Sequence, residues 1–415
     1  MAEKLKLFRG RIAYFPDDST SVEFRNGYLL VDPDGKIVDV GDGVPDRTEF
    51  DVVDYTGFLI IPGFFDIHIH LPQFDQRGRW ATNLLQWLER YIFPAEMRFQ
   101  DESVARDTAH RFFRALLANG TTTVVVYSSA HRRATEIAFE EAEYAGIRAL
   151  IGQVMMDMNA PSQILTTSKQ AVRDVESVAS QWHGKDNRLF YVVTPRFAVS
   201  CSMELMRALA EVASRMELFI QSHLSEQLPE IETVKRLFPE AKSYTHVYLE
   251  AGLLTERTIM AHAIYLSDEE RKILHDTGTK IAHCPSSNYF LHSGTMDLQA
   301  NENAGLTVGL GTDVGGGPHL SMFHVMREMY YANPISPVKA FYHATFAGAK
   351  VLGWQDFLGT LEVGKEADFI VINYKNLIDE DADLSEILAK LMFIGDDRNI
   401  VATYVRGRKV WPVKP

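Results

Sequence analysis

The sequence has few cysteines, no long apolar run and no excess of basic residues. Its 415 residues include only two cysteines, Cys201 and Cys284, which excludes a disulfide framework and a cysteine-rich zinc module. No stretch approaches the ~18 apolar residues of a membrane-spanning helix, and the first residues lack the apolar core of a signal peptide. We therefore expect a cytoplasmic protein with no membrane partner.

The charge balance argues against a nucleic-acid partner. Acidic residues outnumber basic ones by 55 to 42, so the net charge is −13. Such a chain repels phosphate backbones unless its basic residues are concentrated in one patch, and the sequence contains no such cluster. The His-x-Glu and Pro-Cys-x-x-Cys pattern of nucleic-acid deaminases is also absent.

Short β-branched or apolar runs alternate with amphipathic helical patterns from residue 58 onward. The eight runs are residues 58–70, 122–127, 148–157, 189–197, 218–223, 258–262, 279–284 and 307–313. Strands that alternate with helices pair in parallel, and eight such units predict a (β/α)8 TIM barrel, an α/β fold. A doubly wound open sheet is the alternative, but His-Leu-Pro-Gln follows the first run where that fold has a glycine-rich phosphate loop. The barrel is therefore the favoured fold.

The two ends of the chain have a different pattern. The dipeptides Asn26-Gly27 and Asp34-Gly35 separate alternating runs, which indicates a β meander, and strand-like runs also cover residues 368–373 and 400–410. Since domain termini often lie close together, we predict a small β-sandwich domain from residues 1–61 plus 360–415, and a barrel domain over residues 62–359. The aromatic-rich residues 75–100 form an insert that is either a lid over the barrel mouth or a helix packed on its rim.

Histidines and an aspartate stand at the carboxyl ends of four predicted strands. His68 and His70 share one face of the first strand, because side chains alternate along a strand. The fifth strand ends at His223, the sixth at His262 and the eighth at Asp313. A barrel brings these ends together, and imidazoles with a carboxylate are typical ligands of zinc or iron. The alternative, surface or hydrogen-bonded histidines, does not explain their recurrence at strand ends, so we interpret them as a metal site.

A metal ion lowers the pKa of its bound water from ~15.7 to about 7, so the site predicts a hydrolase that attacks an electrophilic carbon. Binuclear barrels commonly use a lysine on the fourth strand, and residues 193–197 contain none, which favours a single metal ion.

Four further polar or aromatic residues lie just beyond predicted strand ends. Glu226 follows His223 by three residues and is either a general acid/base or a solvated loop carboxylate. Arg196 and Phe197 end the fourth strand, and Gln73 follows the histidine pair; each either contacts substrate or packs on the rim. Together they favour a planar, hydrogen-bonding substrate.

These residues resemble the amidohydrolase superfamily, and within it the guanine deaminase family. The superfamily-level likeness is carried by residues 62–70, His223, His262, residues 311–313 and residues 364–368. The more specific likeness is carried by residues 70–74, 87–91, 93–96, 193–197, 220–226 and 395–400. The resemblance extends over nearly the whole chain.

The resemblance implies a zinc-dependent homodimer that converts guanine, a small purine, and water to xanthine and ammonia in purine catabolism. One zinc per subunit is expected, with iron as the alternative, and the implied ligands are His68, His70, His223 and Asp313. The same chemistry on 8-oxoguanine, cytosine or a triazine is the nearest rival. A non-catalytic scaffold is less favoured, because no expected ligand is missing.

The resemblance also implies roles for the remaining residues. Gln73, Arg196, Phe197 and Glu226 would contact the purine, and His262 would lie near both the attacking oxygen and the substrate. Glu226, His262 and Asp313 would be the catalytic residues.

Overall fold

The computed structural model describes residues 4–46, 49–81 and 83–412. Its strands are β1 (Leu5–Tyr14), β2 (Val22–Val31), β3 (Ile37–Asp42), β4 (Phe50–Pro62), β5 (Phe64–His70), β6 (Thr121–Tyr127), β7 (Arg148–Gly152), β8 (Val154–Met155), β9 (Leu189–Pro195), β10 (Phe219–Leu224), β11 (Thr258–His262), β12 (Lys280–His283), β13 (Val308–Leu310), β14 (Phe369–Ile372), β15 (Ile400–Val405) and β16 (Arg408–Trp411). Its helices are α1 (Leu84–Trp87), α2 (Phe93–Met97), α3 (Glu102–Ala118), α4 (Arg132–Ala145), α5 (Ser168–Trp182), α6 (Met203–Arg215), α7 (Leu228–Leu237), α8 (Tyr244–Ala251), α9 (Asp268–Asp276), α10 (Pro285–Phe290), α11 (Leu298–Asn303), α12 (Met322–Ala332), α13 (Pro337–Ala344), α14 (Phe346–Val351) and α15 (Leu384–Ile394).

The strands β5 to β13 form a nearly closed parallel barrel, as predicted. Their order is β13-β12-β11-β10-β9-β7-β6-β5, and the short β8 also pairs with β9. The last strand reaches the first through backbone hydrogen bonds from Asp313 N to His68 O (2.8 Å) and from His70 N to Val314 O (2.9 Å). Each of the eight predicted runs overlaps a strand of this barrel, and the third run is divided into β7 and β8. The TIM-like fold is thereby confirmed.

The chain ends combine in one seven-stranded mixed sheet, ordered β16-β15-β14-β4-β1-β2-β3. β1 pairs with β4 in parallel and with β2 in antiparallel, and β14 joins the carboxyl-terminal strands to β4. Its core contains Phe8, Phe369 and Tyr404, with the Phe8 and Phe369 rings 4.9 Å apart edge to face. Apolar residues of both chain ends therefore share one core.

The chain contains two compact units. One comprises residues 1–66, 114–123 and 320–415, and the other comprises residues 67–113 and 124–319. The domain boundaries proposed from the sequence, after residues 61 and 359, stay a prediction. None of the helices in the described part is both long and apolar enough to cross a membrane.

The insert after β5 is a series of short helical segments. A 3-10 turn (Leu71–Gln76) follows β5 directly, and a π-helical turn (Leu88–Ile92) joins α1 to α2. The Asn83 side chain accepts a hydrogen bond from Gln86 N and so caps α1, whereas Pro94 in the first turn of α2 needs no hydrogen-bond partner for its nitrogen. Residues 71–100 of the insert are therefore mostly helical.

Candidate metal and active site

The predicted histidine pair lies at the end of β5, with both side chains in the barrel interior. Side chains alternate along a strand, so Ile69 between them takes the other face, and His68 and His70 point the same way and are 1% and 2% exposed. Their Nε2 atoms lie 3.3 and 3.2 Å from Oδ1 of Asp313. One carboxylate oxygen thus contacts both imidazoles.

Asp313 lies three residues beyond the end of β13, in a left-handed backbone conformation (φ +47°). This conformation is uncommon outside glycine, although aspartate tolerates it better than most residues. Two residues earlier, a Cβ on Gly311 would stand only 2.7 Å from the His68 Cβ, so glycine is needed for this close approach. The Gly-Thr-Asp sequence therefore allows β13 to bring the carboxylate against the histidine pair.

His223 is held on β10 by a hydrogen bond on the far side of its ring. Its Nδ1 donates to the carbonyl oxygen of Arg196 at 2.7 Å. The opposite nitrogen, Nε2, then presents its lone pair to the site and lies 3.2 Å from Nε2 of His70. Such a partner fixes the tautomer and ring orientation of a metal-binding histidine.

His262 is the last residue of β11 and also has a left-handed backbone (φ +70°). Its Nδ1 donates to Oδ1 of Asn288 at 2.9 Å. Its Nε2 lies 3.5 Å from Oε2 of Glu226 and 3.8 Å from Oδ2 of Asp313. Within the described part of the chain this nitrogen has no hydrogen-bond partner, so a buried polar atom faces the site.

The donor set fits a divalent metal ion. Burial lowers the pKa of His68 and His223, and that of His70 to about 3, so all three rings are neutral. Burial opposes ionisation of Asp313, yet hydrogen bonds from His68 and His70 hold its pKa well below the ordinary value. The ligand atoms of His68, His70 and His223 lie within 4.8 Å of one another, as do those of His68, His262 and Asp313. Neutral imidazoles with one carboxylate are the ligands that zinc and iron accept.

Glu226 lies just beyond β10, as the sequence predicted, and its side chain is buried. Oε1 accepts a hydrogen bond from Ser293 Oγ at 2.8 Å, and Oε2 faces His262. Burial and the charge of Asp313 raise the pKa of Glu226 to about 8. The side chain is therefore a neutral acid at pH 7, a state suited to proton donation.

The predicted substrate residues Gln73, Arg196 and Phe197 line the same cavity as His262 and Glu226. Arg196 Nη1 contacts both carboxylate oxygens of Glu96, at 2.6 and 2.8 Å, and the pair is almost fully buried. Gln73 Oε1 accepts from Gly315 N at 3.3 Å. The cavity is lined by His70, Gln73, Leu84, Trp87, Leu88, Arg196, Phe197, His223, Glu226, His262, Leu291 and Asp313. All the predicted site residues except His68 thus line one cavity, and His68 contacts Asp313 behind it.

The sequence assigned no role to three side chains that hold this site. Glu96 binds Arg196, Asn288 binds His262 and Ser293 binds Glu226. Each lies 26 to 100 residues from its partner in the chain, so no local spacing connects them. Glu96 lies in residues 93–96, one of the segments that carry the family resemblance, whereas Asn288 and Ser293 lie in no motif or predicted strand.

The chain matches known proteins over nearly its full length. Residues 59–410 match the model of the amidohydrolase family. A guanine deaminase of Dictyostelium discoideum is 35% identical, with 98% of each chain covered. The solved structure of E. coli guanine deaminase has a TM-score of 0.93 at 35% identity, covering 98% of this chain and 99% of that one. A guanine deaminase structure from C. acetobutylicum, with guanine bound in its active site, has a TM-score of 0.92 at 34% identity, with 98% and 99% covered.

Proposed function

Because the chain belongs to the amidohydrolase family and, within it, to the guanine deaminases, we propose that it hydrolyses guanine to xanthine and ammonia. The observation that carries this proposal is the convergence of imidazoles, the Asp313 carboxylate and the buried Glu226 carboxyl on one cavity, with His68 against Asp313 behind it. The protein is thus a hydrolase that breaks the exocyclic C–N bond of an aminated purine.

We assign the metal to His68, His70, His223 and Asp313. A metal bound there supplies a water with a pKa lowered from ~15.7 to about 7, and hence a nucleophile near neutral pH. Zinc is proposed, one per subunit, because the donor set contains nitrogen and oxygen ligands; iron is the alternative. A cytoplasmic location and a homodimer are further proposals that depend on the sequence and its family resemblance.

The chain's own residues supply the proton transfers. Asp313 accepts a proton from the attacking water, since it remains ionised among neutral rings. Glu226 donates its proton to the ring nitrogen beside C2, which makes C2 more electrophilic. The resulting carboxylate takes the proton of the new hydroxyl on C2 and passes it to the departing amine, and the proton held by Asp313 then returns to Glu226. His262 lies between these two carboxylates, where its Nε2 can orient the new oxygen.

Recognition of the purine is assigned to Arg196, Gln73 and Phe197. The guanidinium keeps further N–H donors beyond those that bind Glu96, and these suit a purine carbonyl. The amide of Gln73 matches a polar ring edge, and the ring of Phe197 offers a flat contact surface.

The direct test is to incubate the metal-assayed protein with guanine and to follow ammonia and xanthine. Parallel reactions contain 8-oxoguanine, adenine, cytosine or a triazine. We expect turnover of guanine at the highest kcat/KM, lost after chelation and restored by zinc. A higher kcat/KM for one of the other heterocycles would reassign the substrate. If none of these compounds is turned over, the alternative of a non-catalytic scaffold is favoured.

The substitution Arg196→Lys tests the role of this residue in substrate recognition. Lysine keeps the positive charge against Glu96 but replaces the planar fork of donors by a single ammonium. We expect KM for guanine to rise about tenfold, the loss of roughly one hydrogen bond, with kcat changed less. Arg215→Lys, at an exposed pair with Glu176, is the control for arginine replacement alone. An unchanged KM in Arg196→Lys would remove this residue from the recognition set.

A further inference from the structure

Ser293 stands directly behind the catalytic carboxyl and is held from several sides. Its backbone N donates to Asn288 O at 2.8 Å, and its carbonyl oxygen accepts from Tyr265 OH at 2.6 Å. The residue is 2% exposed, and its hydroxyl is within hydrogen-bond distance of Glu226 Oε1 (2.8 Å) and Gln227 Nε2 (3.1 Å). The hydroxyl therefore has a defined place between two polar side chains.

The orientation of the Gln227 amide is set by its other partners. Its Oε1 accepts from the backbone N of Leu84 at 3.2 Å, and its Nε2 donates to the carbonyl oxygen of Leu291 at 2.9 Å. A flipped amide would place a donor against Leu84 N–H and an acceptor against Leu291 C=O, so only one orientation satisfies both contacts. The nitrogen of the amide therefore faces Ser293.

This orientation also fixes the direction of the serine hydrogen bond. Because Gln227 Nε2 has only donors, Ser293 Oγ must accept from it, and the single hydroxyl proton is then free for Glu226 Oε1. A protonated carboxyl has one carbonyl oxygen and one hydroxyl oxygen. An oxygen that receives the serine proton acts as the carbonyl oxygen, so the acidic proton of Glu226 belongs on Oε2.

We propose that Ser293 is a positioning residue that places the transferable proton of Glu226 on Oε2, the oxygen that faces His262, a residue of the cavity lining. Around this carboxyl the charged or titratable groups are Asp313, His262 and Glu230, and Glu230 binds the backbone N of Glu226 at 2.8 Å without contacting Oε1. Among the described residues, Ser293 is thus the side chain that donates a hydrogen bond to one of the two oxygens. This inference rests on the proposed function, because Glu226 must be the proton donor.

The test compares Ser293→Ala, Ser293→Thr and Ser293→Cys in the metal-loaded full chain. Alanine removes the hydroxyl, threonine keeps it, and cysteine keeps the volume with only a weak donor. We expect kcat for guanine to fall about tenfold or more in the alanine and cysteine variants. KM should stay within about threefold, bound metal should be unchanged, and threonine should restore most of kcat.

Ser267→Ala is the matched control, because Ser267 Oγ donates to a buried glutamate, Glu270, at 2.9 Å at the start of α9, outside the site. Ser267→Ala loses the same type of hydrogen bond, from a serine hydroxyl to a buried glutamate. The Tm of this variant should therefore fall, while its kcat for guanine should not.

A kcat within about threefold of wild type in both Ser293→Ala and Ser293→Cys would overturn the proposal, as would loss of metal or failure of threonine to restore kcat. If Ser293→Ala does not fold, the isosteric cysteine variant decides. If wild type does not turn over guanine, the proposed substrate fails, and the same variants are then compared on whichever heterocycle the protein deaminates.

Discussion

We expect Glu226→Gln to lower kcat for guanine by about 10² or more while the protein keeps its metal. Glutamine has the same shape and can still accept the hydrogen bond of Ser293, but it has no acidic proton to donate. The loss should be large because Glu226 is the group whose burial and proximity to Asp313 raise its pKa to about 8. Glu226 and Asp313 are the two carboxyl residues of the described cavity lining, and Glu226 is the one that can donate a proton near neutral pH.

Steady-state kinetics, with metal content measured on the same sample, would check this expectation. KM should change little, because the glutamine keeps the volume and polarity of the cavity wall. Glu270→Gln is the matched control, since Glu270 is a buried carboxylate that caps α9 outside the site. Near-normal turnover by Glu226→Gln would refute the assignment of the general acid.

The second large effect is expected for Asp313→Asn, which should lose both metal and activity. Oδ1 of this carboxylate contacts Nε2 of His68 and of His70, and its negative charge is the anionic component of the proposed ligand set. An amide removes that charge and can place an NH2 group where the metal would bind. Replacing groups outside the ligand set of metal sites typically costs about 10–100-fold, so loss of a direct ligand should exceed this range.

Metal per chain and kcat should be measured together after dialysis against a chelator and addition of zinc or iron. We expect wild type to regain activity with zinc, and Asp313→Asn to fail to retain either metal. Asp174→Asn serves as the control, because Asp174 is a buried carboxylate that binds Gln153 and Gln170 rather than the site. Full metal retention and turnover in Asp313→Asn would exclude the carboxylate as a ligand.

The fold was largely predictable because its signals are local. Each barrel strand is a short apolar run followed by a helix, so periodicity alone located all eight. The metal-site prediction followed from the same logic, since parallel strands in a barrel bring their carboxyl ends to one rim. His68, His70, His223, His262 and Asp313 each stand at or just after such an end, and the structure brings them together.

The supporting contacts were not predictable in this way. The Glu96–Arg196 ion pair joins the insert to the fourth barrel strand, and the Ser293–Glu226 bond joins the loop after α10 to the end of β10. Glu96, Arg196 and Glu226 lie in segments that carry the family resemblance, but no spacing or periodic pattern pairs them with their partners, and Ser293 lies in no such segment. Their roles depend on side chains that meet at hydrogen-bond distance only after the barrel has closed.

The sequence by itself determined the order of the strands and which histidines at the strand ends face the barrel interior. It also determined the kind of chemistry that these side chains support. Alternation along a strand and pairing between strands are short-range rules, so the residues that obey them can be identified without coordinates. The tertiary structure alone decided which tautomers the histidines adopt, which glutamate oxygen faces His262, and how Arg196 is neutralised. Those properties depend on burial and on hydrogen-bond partners up to 100 residues away in the chain. In a buried site of low dielectric an unpaired polar group is costly, so these partners fix the orientation of each side chain.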